Sequence, residues 1–162
     1  MAIDYAKVLK ALNVDMVVIG RGQASALQFE NMTGLPVQTG GIEKWLLHKK
    51  NLPCQAIVAV GERLLGKVGI MLMEHGIKSL LVEKPGAATT GEVADVLRKA
   101  QEHNSKVYLA YNRRFYASVQ QARQIIREDG GVTSFYFEFT EWSHVIKDLQ
   151  KASKKAEKTF LA

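Results

Sequence analysis

The chain has 162 residues, which is enough for one domain with a buried core but short for a two-domain enzyme. Apolar residues make up 47% and charged residues 23%, a balance typical of soluble globular proteins. No apolar run approaches the roughly 20 residues that span a bilayer, and no basic and then apolar leader opens the chain, so we expect a cytoplasmic protein that does not enter a membrane.

The net charge of +6 suggests an anionic partner, but part of the positive charge lies in one lysine-rich segment, residues 147–158. Such a segment is usually a solvated helix face or a tail, and this one has no aromatic residue on which a base would stack. We therefore do not expect the chain to bind nucleic acid.

Cys54 is the single cysteine, which excludes a disulfide within the chain. It follows Pro53 at the start of an apolar run, so we expect an unreactive thiol in the core rather than a nucleophile. No group of cysteine and histidine residues has the spacing of a zinc site, so no metal is predicted.

Hydrophobic periodicity predicts helices and strands that alternate along most of the chain. The predicted helices are 6–12, 24–32, 42–48, 62–75, 89–103 and 117–127, and the predicted strands are 16–19, 37–39, 56–60, 79–82 and 107–110. Thr89, with Glu92 three residues later, forms a capping box at the start of the fifth helix. Apolar strands alternating with helices predict an α/β fold, a doubly wound and mostly parallel sheet with helices on both faces.

The pattern changes near Gly130. From 132 to 140, three phenylalanines alternate with residues that include Tyr136 and Glu138. Alternation of this kind predicts a strand with one solvated face, unlike the buried strands before it. We therefore expect the β–α array to end here and a different sheet to begin.

Charged loops follow the predicted strands. Glu83, Lys84 and Pro85 come directly after 79–82, and the other loops are Gly20-Arg21-Gly22, Gly61-Glu62 and Asn112-Arg113-Arg114. The carboxyl ends of parallel strands form the edge at which ligands bind in an open sheet. A lysine beside a carboxylate at this edge can donate and accept a proton, although a surface loop with an ordinary salt bridge also fits these three residues.

Arg21 bears on the choice of dinucleotide. An arginine just after the second strand of a dinucleotide-binding fold suits the 2′-phosphate of NADP, whereas an acidic residue there favours the free 2′-hydroxyl of NAD. Gly20 and Arg21 therefore favour NADP over NAD, and the alternative is a solvated arginine in a glycine turn.

Two segments together resemble a known family. The segment L-V-E-K-P (81–85) precedes a helix, V-Y-L-A-Y-N-R-R-F (107–115) follows it, and a second helix ends at Gly130-Gly131-Val132. This order closely resembles the glucose-fructose oxidoreductase, inositol dehydrogenase and rhizopine-catabolism (Gfo/Idh/MocA) family of NAD(P)-dependent oxidoreductases, over about residues 5–140.

The resemblance implies a Rossmann domain, here 1–128, followed by an open antiparallel-sheet domain, of which 129–162 would be a remnant with a basic tail. It also implies hydride transfer at a carbon of a sugar, nucleotide sugar or cyclitol. Lys84 would be the catalytic residue, hydrogen-bonded to the reacting hydroxyl and the cofactor ribose. The residues implied to shape or line the cofactor site are Glu83, Pro85, Ala59, Val60, Gly61 and Arg114.

The chain departs from the family pattern in two ways. The family begins with a strand and a G-x-G-x-x-G turn that holds the pyrophosphate, but this sequence starts at what resembles the next helix, and Gly20-Arg21-Gly22 is not that fingerprint. We therefore expect strands 16–19 and 56–60 to pair directly or another chain to contribute. His144 follows the last strand too soon to be the family's catalytic histidine and is interpreted as a loop or interface residue.

Two functions remain open at this stage. The first is an oxidoreductase that uses NADP or NAD. Because the glycine turn is missing, its affinity for the dinucleotide could be weak or lost, and with it the activity. The second is a non-catalytic module that assembles through its core and the strand 132–140. Because the phenylalanine face of that strand needs cover, we predict a homodimer through it.

Overall fold

The computed structural model describes residues 1–48, 51–138, 147–148 and 151. Within these residues, strands and helices alternate as the sequence predicts. The helices are α1 (Ala2–Ala11), α2 (Gln23–Thr33), α3 (Gly41–His48), α4 (Glu62–Glu74), α5 (Thr90–Glu102) and α6 (Ala117–Glu128). The strands are β1 (Val18–Ile19), β2 (Val37–Gln38), β3 (Gln55–Val58), β4 (Ser79–Val82) and β5 (Lys106–Leu109), and a short 3₁₀ helix spans Asn112–Phe115.

Two compact units make up the chain, Met1–Arg114 and Phe115–Ala162. The first holds all five strands, and the second holds α6. The assignment of a dinucleotide-binding domain to 1–128 and a remnant to 129–162 stays a prediction.

The main sheet of the first unit is β3–β4–β5, and all its strands are parallel. Val82 of β4 lies opposite Val58 of β3 on one side and Leu109 of β5 on the other. The three strands therefore end at the same level, and the residues that follow them share one edge of the sheet.

The core forms around β4. Leu80 and Val82 are almost fully buried, and α4 packs Leu65, Leu72 and Met73 against the sheet from one helical face. Burying each such side chain contributes roughly 1.5–3 kcal/mol. This packing anchors β4, the strand from which the Glu83-Lys84-Pro85 turn starts.

A second, two-stranded sheet consists of β1 and β2, which are parallel. Within the described residues, β1 is hydrogen-bonded only to β2, and β3 only to β4. The expectation that strands 16–19 and 56–60 might pair directly is therefore wrong. Both strands of this small sheet are also shorter than predicted, because a strand extends only as far as a neighbour provides hydrogen bonds.

Helix α1 contacts segments that adjoin both sheets. Near its end, Lys10 Nζ donates a hydrogen bond of 3.2 Å to the carbonyl of Thr33, the last residue of α2. Near its beginning, Tyr5 reaches Glu83, which follows β4. This helix therefore links the loop after β4 to the helix that precedes β2.

The predicted strand 132–140 is wrong for the residues that the structure describes. Residues 132–138 form no strand, and Phe139 and Thr140 lie outside the described residues. Phe135, Tyr136 and Phe137 are 85%, 87% and 73% exposed, so the alternation does not separate a buried face from a solvated one. A strand forms only where a neighbouring strand continues the hydrogen-bonded ladder, and alternation of side chains does not supply that neighbour.

Cys54 is exposed, which corrects the prediction of a core thiol. It directly precedes β3, whose first residue, Gln55, is also exposed, so this end of the strand lies outside the core. Among the described residues, no helix is both long and apolar enough to cross a membrane.

Candidate functional site

The loops after β3, β4 and β5 lie side by side at the carboxyl edge of the main sheet. The backbone N–H of Glu83 donates to the carbonyl of Val58 (2.9 Å), and that of Ala110 donates to the carbonyl of Val82 (2.9 Å). The sheet thus brings together residues 59–61, 83–85 and 111–114. Alignment of strand ends at one edge is what creates a ligand crevice in parallel sheets.

Glu83 is the buried member of this edge, with only 6% of its surface exposed. Its carboxylate accepts a 2.7 Å hydrogen bond from the hydroxyl of Tyr5 and a 3.2 Å bond from the backbone N–H of Lys84. A buried carboxyl group is costly unless such donors satisfy it. The contact with Tyr5 therefore anchors the turn to α1.

The contact with Glu83 also changes the pKa of Tyr5. Burial, the hydrogen bond to Glu83 and the negative charge of Glu83 raise the pKa of Tyr5 to about 12. The phenol therefore keeps its proton at neutral pH and acts as a donor, which fixes Glu83 as the acceptor.

Lys84 and Pro85 are exposed at the same edge, and the peptide bond between them is cis. No hydrogen bond or ion pair within the described residues holds the Lys84 ammonium group. The arrangement gives a buried, anchored acid followed directly by a lysine side chain that a ligand can reach.

The turn continues into α5 through backbone contacts. The N–H of Gly86 donates to the carbonyl of Glu83 (2.9 Å) and closes the turn. Thr89 then caps α5 by accepting a 3.2 Å hydrogen bond from the N–H of Glu92, and the Glu92 carboxylate accepts a 2.8 Å bond from the N–H of Ala88. The predicted capping box is thus confirmed, except that the glutamate bonds one residue earlier than the usual partner.

Gly20 and Arg21 lie at the end of β1, in a loop joined to the loop after β2. The N–H of Gly41 donates to the carbonyl of Gly20 (2.9 Å), and that of Gly40 donates to the carbonyl of Arg21 (3.2 Å). Nη2 of Arg21 lies 3.1 Å and 3.2 Å from the two carboxylate oxygens of Glu43, in the first turn of α3. Arg21 is therefore not a lone solvated arginine, because it has an acidic partner.

Glu43 is ionised in this contact. The hydrogen bond from its own backbone N–H, together with the charge of Arg21, lowers the pKa of the Glu43 carboxyl group below its usual value. The pair thus has no net charge, although both side chains stay largely in contact with solvent, at 69% and 42% exposure.

The remaining predicted site residues divide into two groups. Ala59, Val60 and Gly61 follow β3 beside Glu83, and a Cβ built on Gly61 would meet no atom within 4 Å, so there is open space over this loop. Arg114 is exposed at the end of the first unit, after β5. His144 and most of the lysine-rich segment 147–158 lie outside the described residues.

Sequence reasoning missed two residues, Tyr5 and Glu43. Tyr5 lies one helical turn before Leu9 on α1, and both are half-buried, so its partial burial could have been anticipated but not its partner 78 residues away. Glu43 was not singled out from the sequence. Arg21 follows β1 and Glu43 follows β2. If the parallel pairing of these two strands had been predicted, the contact between the two side chains could have been predicted from it.

The structure is similar to several solved dehydrogenases. It matches the WlbA dehydrogenase from Chromobacterium violaceum, solved with NADH and UDP-GlcNAcA, with a TM-score of 0.68 at 17% identity, over 79% of this chain and 37% of that one. For GenD2 from gentamicin A biosynthesis, solved with NAD, the TM-score is 0.68 at 19% identity, over 82% of this chain and 37% of that one. For myo-inositol 2-dehydrogenase from Lactobacillus plantarum, the TM-score is 0.62 at 17% identity, over 72% of this chain and 34% of that one.

The chain has a Rossmann-like α/β fold. The resemblance to Gfo/Idh/MocA oxidoreductases inferred from the sequence is thereby confirmed at the level of the fold. The chain spans little more than a third of the length of these structures. No family model matches the sequence, and no curated protein does.

Proposed function

We propose that this chain binds a nicotinamide dinucleotide and belongs to the Gfo/Idh/MocA-type oxidoreductases that act on a carbon of a sugar or nucleotide sugar. The observation that carries the proposal is the Glu83-Lys84-Pro85 turn, with its acid buried against Tyr5 and its lysine accessible at the carboxyl edge of the sheet. Solved neighbours of the same fold contain NADH with UDP-GlcNAcA, or NAD.

The residues of the proposed cofactor-binding set fit a dinucleotide in several respects. The loop after β3 has open space over Gly61, which leaves room for a ligand to approach the backbone closely. Arg21 and Lys84 supply cationic donors for phosphate and hydroxyl oxygens. Gly20, Ala59, Val60, Pro85 and Arg114 complete the proposed cofactor-binding set. Arg21 taken alone supports NADP, because a guanidinium group pairs well with a 2′-phosphate.

Lys84 is the proposed catalytic residue. When bound, the dinucleotide supplies the acceptor or donor of a hydride at the sugar carbon. Lys84 hydrogen-bonds to the oxygen on that carbon, where a proton must leave as the hydroxyl becomes a carbonyl. Glu83, held by Tyr5 and by the N–H of Lys84, fixes the turn from which Lys84 extends.

The first test is calorimetric titration of the full chain with NAD and with NADP. Micromolar binding of either dinucleotide is the expected result. If neither binds, the proposed function is wrong, and the fold persists without this chemistry.

The second test examines Lys84 by following dinucleotide reduction with a panel of sugars and UDP-sugars. Lys84→Met should lower turnover about 100-fold or more, while dinucleotide affinity changes less than about threefold. Lys106→Met is the matched control, because Lys106 is also exposed but starts β5 at the opposite edge of the sheet. Equal losses in the two variants would contradict a catalytic role.

A second candidate function is assembly into a homodimer, which the exposed segment 135–137 favours. Three consecutive aromatic side chains that stay at least 73% exposed form an apolar surface of the kind that interfaces cover. Contact through these side chains does not require a strand. The oligomer is expected in the cytoplasm, whether or not the chain is catalytically active.

Light scattering at micromolar concentration tests the homodimer. The full chain should have twice the monomer mass, and Phe135→Ser combined with Tyr136→Ser should restore the monomer. Leu47→Ser is the control, because Leu47 is 82% exposed but lies on α3 in the first unit. A monomeric full chain would rule out this candidate.

A further inference from the structure

The loop after β1 carries a pair of opposite charges, and its geometry bears on which dinucleotide can bind. Arg21 uses a single nitrogen, Nη2, to contact both oxygens of Glu43. This is not the two-nitrogen fork in which a guanidinium group holds a carboxylate most tightly. Within the described residues, neither Nη1 nor Nε of Arg21 has a hydrogen-bond partner, so donors remain for a ligand.

We propose that Glu43 is the specificity-determining residue of the dinucleotide site and shifts its preference from NADP towards NAD. The inference rests on the proposed function, because it assigns a role within the same binding site. It also reverses the preference that Arg21 alone predicts.

The reason is the charge that each dinucleotide brings to Arg21. The 2′-phosphate of NADP is an anion and must either displace the Glu43 carboxylate from Arg21 or lie within a few ångströms of it. Like charges this close repel each other, and the partly exposed position weakens the repulsion without removing it. The ribose 2′-hydroxyl of NAD has no charge and can donate a hydrogen bond to a carboxylate.

Backbone contacts keep Glu43 beside Arg21. The two hydrogen bonds that join Gly20 and Arg21 to Gly40 and Gly41 hold the loop against the start of α3. A Cβ added to Gly41 would lie 3.1 Å from a carboxylate oxygen of Glu43 and 3.7 Å from Nε of Arg21, so both side chains pack over this glycine. The carboxylate therefore stays next to any phosphate that the remaining donors of Arg21 would bind.

The experiment measures the Kd of the full chain for NAD and for NADP in four proteins: wild type, Glu43→Gln, Arg21→Ala and the double variant. Glu43→Gln removes the charge and keeps the shape, so it should raise the affinity for NADP relative to NAD by about tenfold. The same substitution in the Arg21→Ala background should change the ratio less than about twofold, because the cation that binds the phosphate is gone.

The matched control is Asp15→Asn, which changes the net charge equally. Asp15 is exposed and precedes β1, at the end of that strand opposite to Arg21. It should leave the ratio of affinities unchanged.

The failures are distinguishable. If neither dinucleotide binds any of the proteins, the proposed function is wrong and this inference with it. If both bind but the ratio does not change in Glu43→Gln, or changes as much in Asp15→Asn, the dinucleotide site stands and the role of Glu43 is overturned.

Discussion

Glu83 connects two parts of the chain that the sequence separates widely. Its carboxylate is buried, and the hydroxyl of Tyr5 is its donor from another element. A buried carboxyl group that loses a donor keeps the cost of its desolvation without the compensating bond. The contact is therefore expected to stabilise the fold as well as to position the turn.

Removing the hydroxyl of Tyr5 tests this contact. Tyr5→Phe should lower the free energy of unfolding by about 1–3 kcal/mol, the usual cost of losing a hydrogen bond to a charged group. Urea denaturation at neutral pH measures the change. Tyr108→Phe is the control, since Tyr108 is 51% exposed and should change the stability by less than about 0.5 kcal/mol. Equal effects of the two substitutions would contradict the role of Tyr5.

The pKa of Tyr5 gives a second prediction, on pH dependence. In the folded chain the pKa is about 12, above the ordinary value of 10.0, so the folded state holds a proton that the unfolded state has lost between these pH values. The free energy of unfolding that depends on Tyr5 must therefore decrease as the pH rises from about 10 to about 12. The stability difference between wild type and Tyr5→Phe, measured by denaturation over this range, should shrink accordingly. A difference that stays constant with pH would contradict the interpretation.

At the scale of single elements, local signals predicted the structure well. The bounds of β4 agree with the prediction because an apolar run ends abruptly at Glu83, Lys84 and Pro85. The start of α5 agrees because Thr89 and Glu92 satisfy its first N–H groups. Such signals act within a few residues and need no knowledge of the rest of the fold.

The elements that were predicted wrongly depend on distant neighbours. Residues 132–138 have the alternation of a strand, but alternation describes only how side chains would divide between two faces. Whether a strand forms also depends on a neighbouring strand with free hydrogen-bonding groups. The alternation of side chains carries no information about such a neighbour. The same dependence explains why β1 is only two residues long, although an apolar run precedes it.

The turn after β4 allows a prediction at this scale. Gly86 has a φ of +93°, and a Cβ there would lie 2.7 Å from Cδ2 of Leu109. Gly76, after α4, has nearly the same φ (+94°) but no atom within 4 Å of its Cβ position. Gly76→Ala should cost about 1–2 kcal/mol from backbone strain alone. Gly86→Ala should cost about 1–3 kcal/mol more, because the added methyl group also overpacks the site.

Urea denaturation followed by circular dichroism measures both glycine variants. The comparison separates strain from overpacking, because the two positions differ chiefly in the space around the added carbon. Equal stabilities of the two variants would mean that Leu109 can move aside, and that the turn is less tightly packed than the structure indicates.

At the scale of the whole molecule, the fold was more predictable than the candidate site. The alternation of helices and strands and the carboxyl edge followed from periodicity and from the charged loops. The contacts that define the site did not, because Tyr5 with Glu83 and Arg21 with Glu43 are joined only by the packing of separate elements. Each of these residues can be read from the sequence, but which residue contacts which cannot.

The division of the chain into two compact units leads to the last prediction. All residues of the core cluster lie in Met1–Arg114, and α6 in the second unit has no buried residue. Since buried apolar surface is the main source of stability, the second unit should add little to the stability of the first. A fragment that ends at Arg114 should therefore unfold cooperatively, with a free energy of unfolding within about 1 kcal/mol of the full chain.

A shorter fragment that ends at Asn104 provides the control. It lacks β5, which pairs with β4 and packs Val107 and Leu109 against the core, so it should not unfold cooperatively. Measurement at the lowest practical protein concentration matters, because a dimer contact through 135–137 would stabilise the full chain by mass action. If the longer fragment loses several kcal/mol even there, the second unit supports the first within a single chain. If the fragment is less stable than the full chain only at high protein concentration, the difference in the free energy of unfolding comes from dimerisation of the full chain.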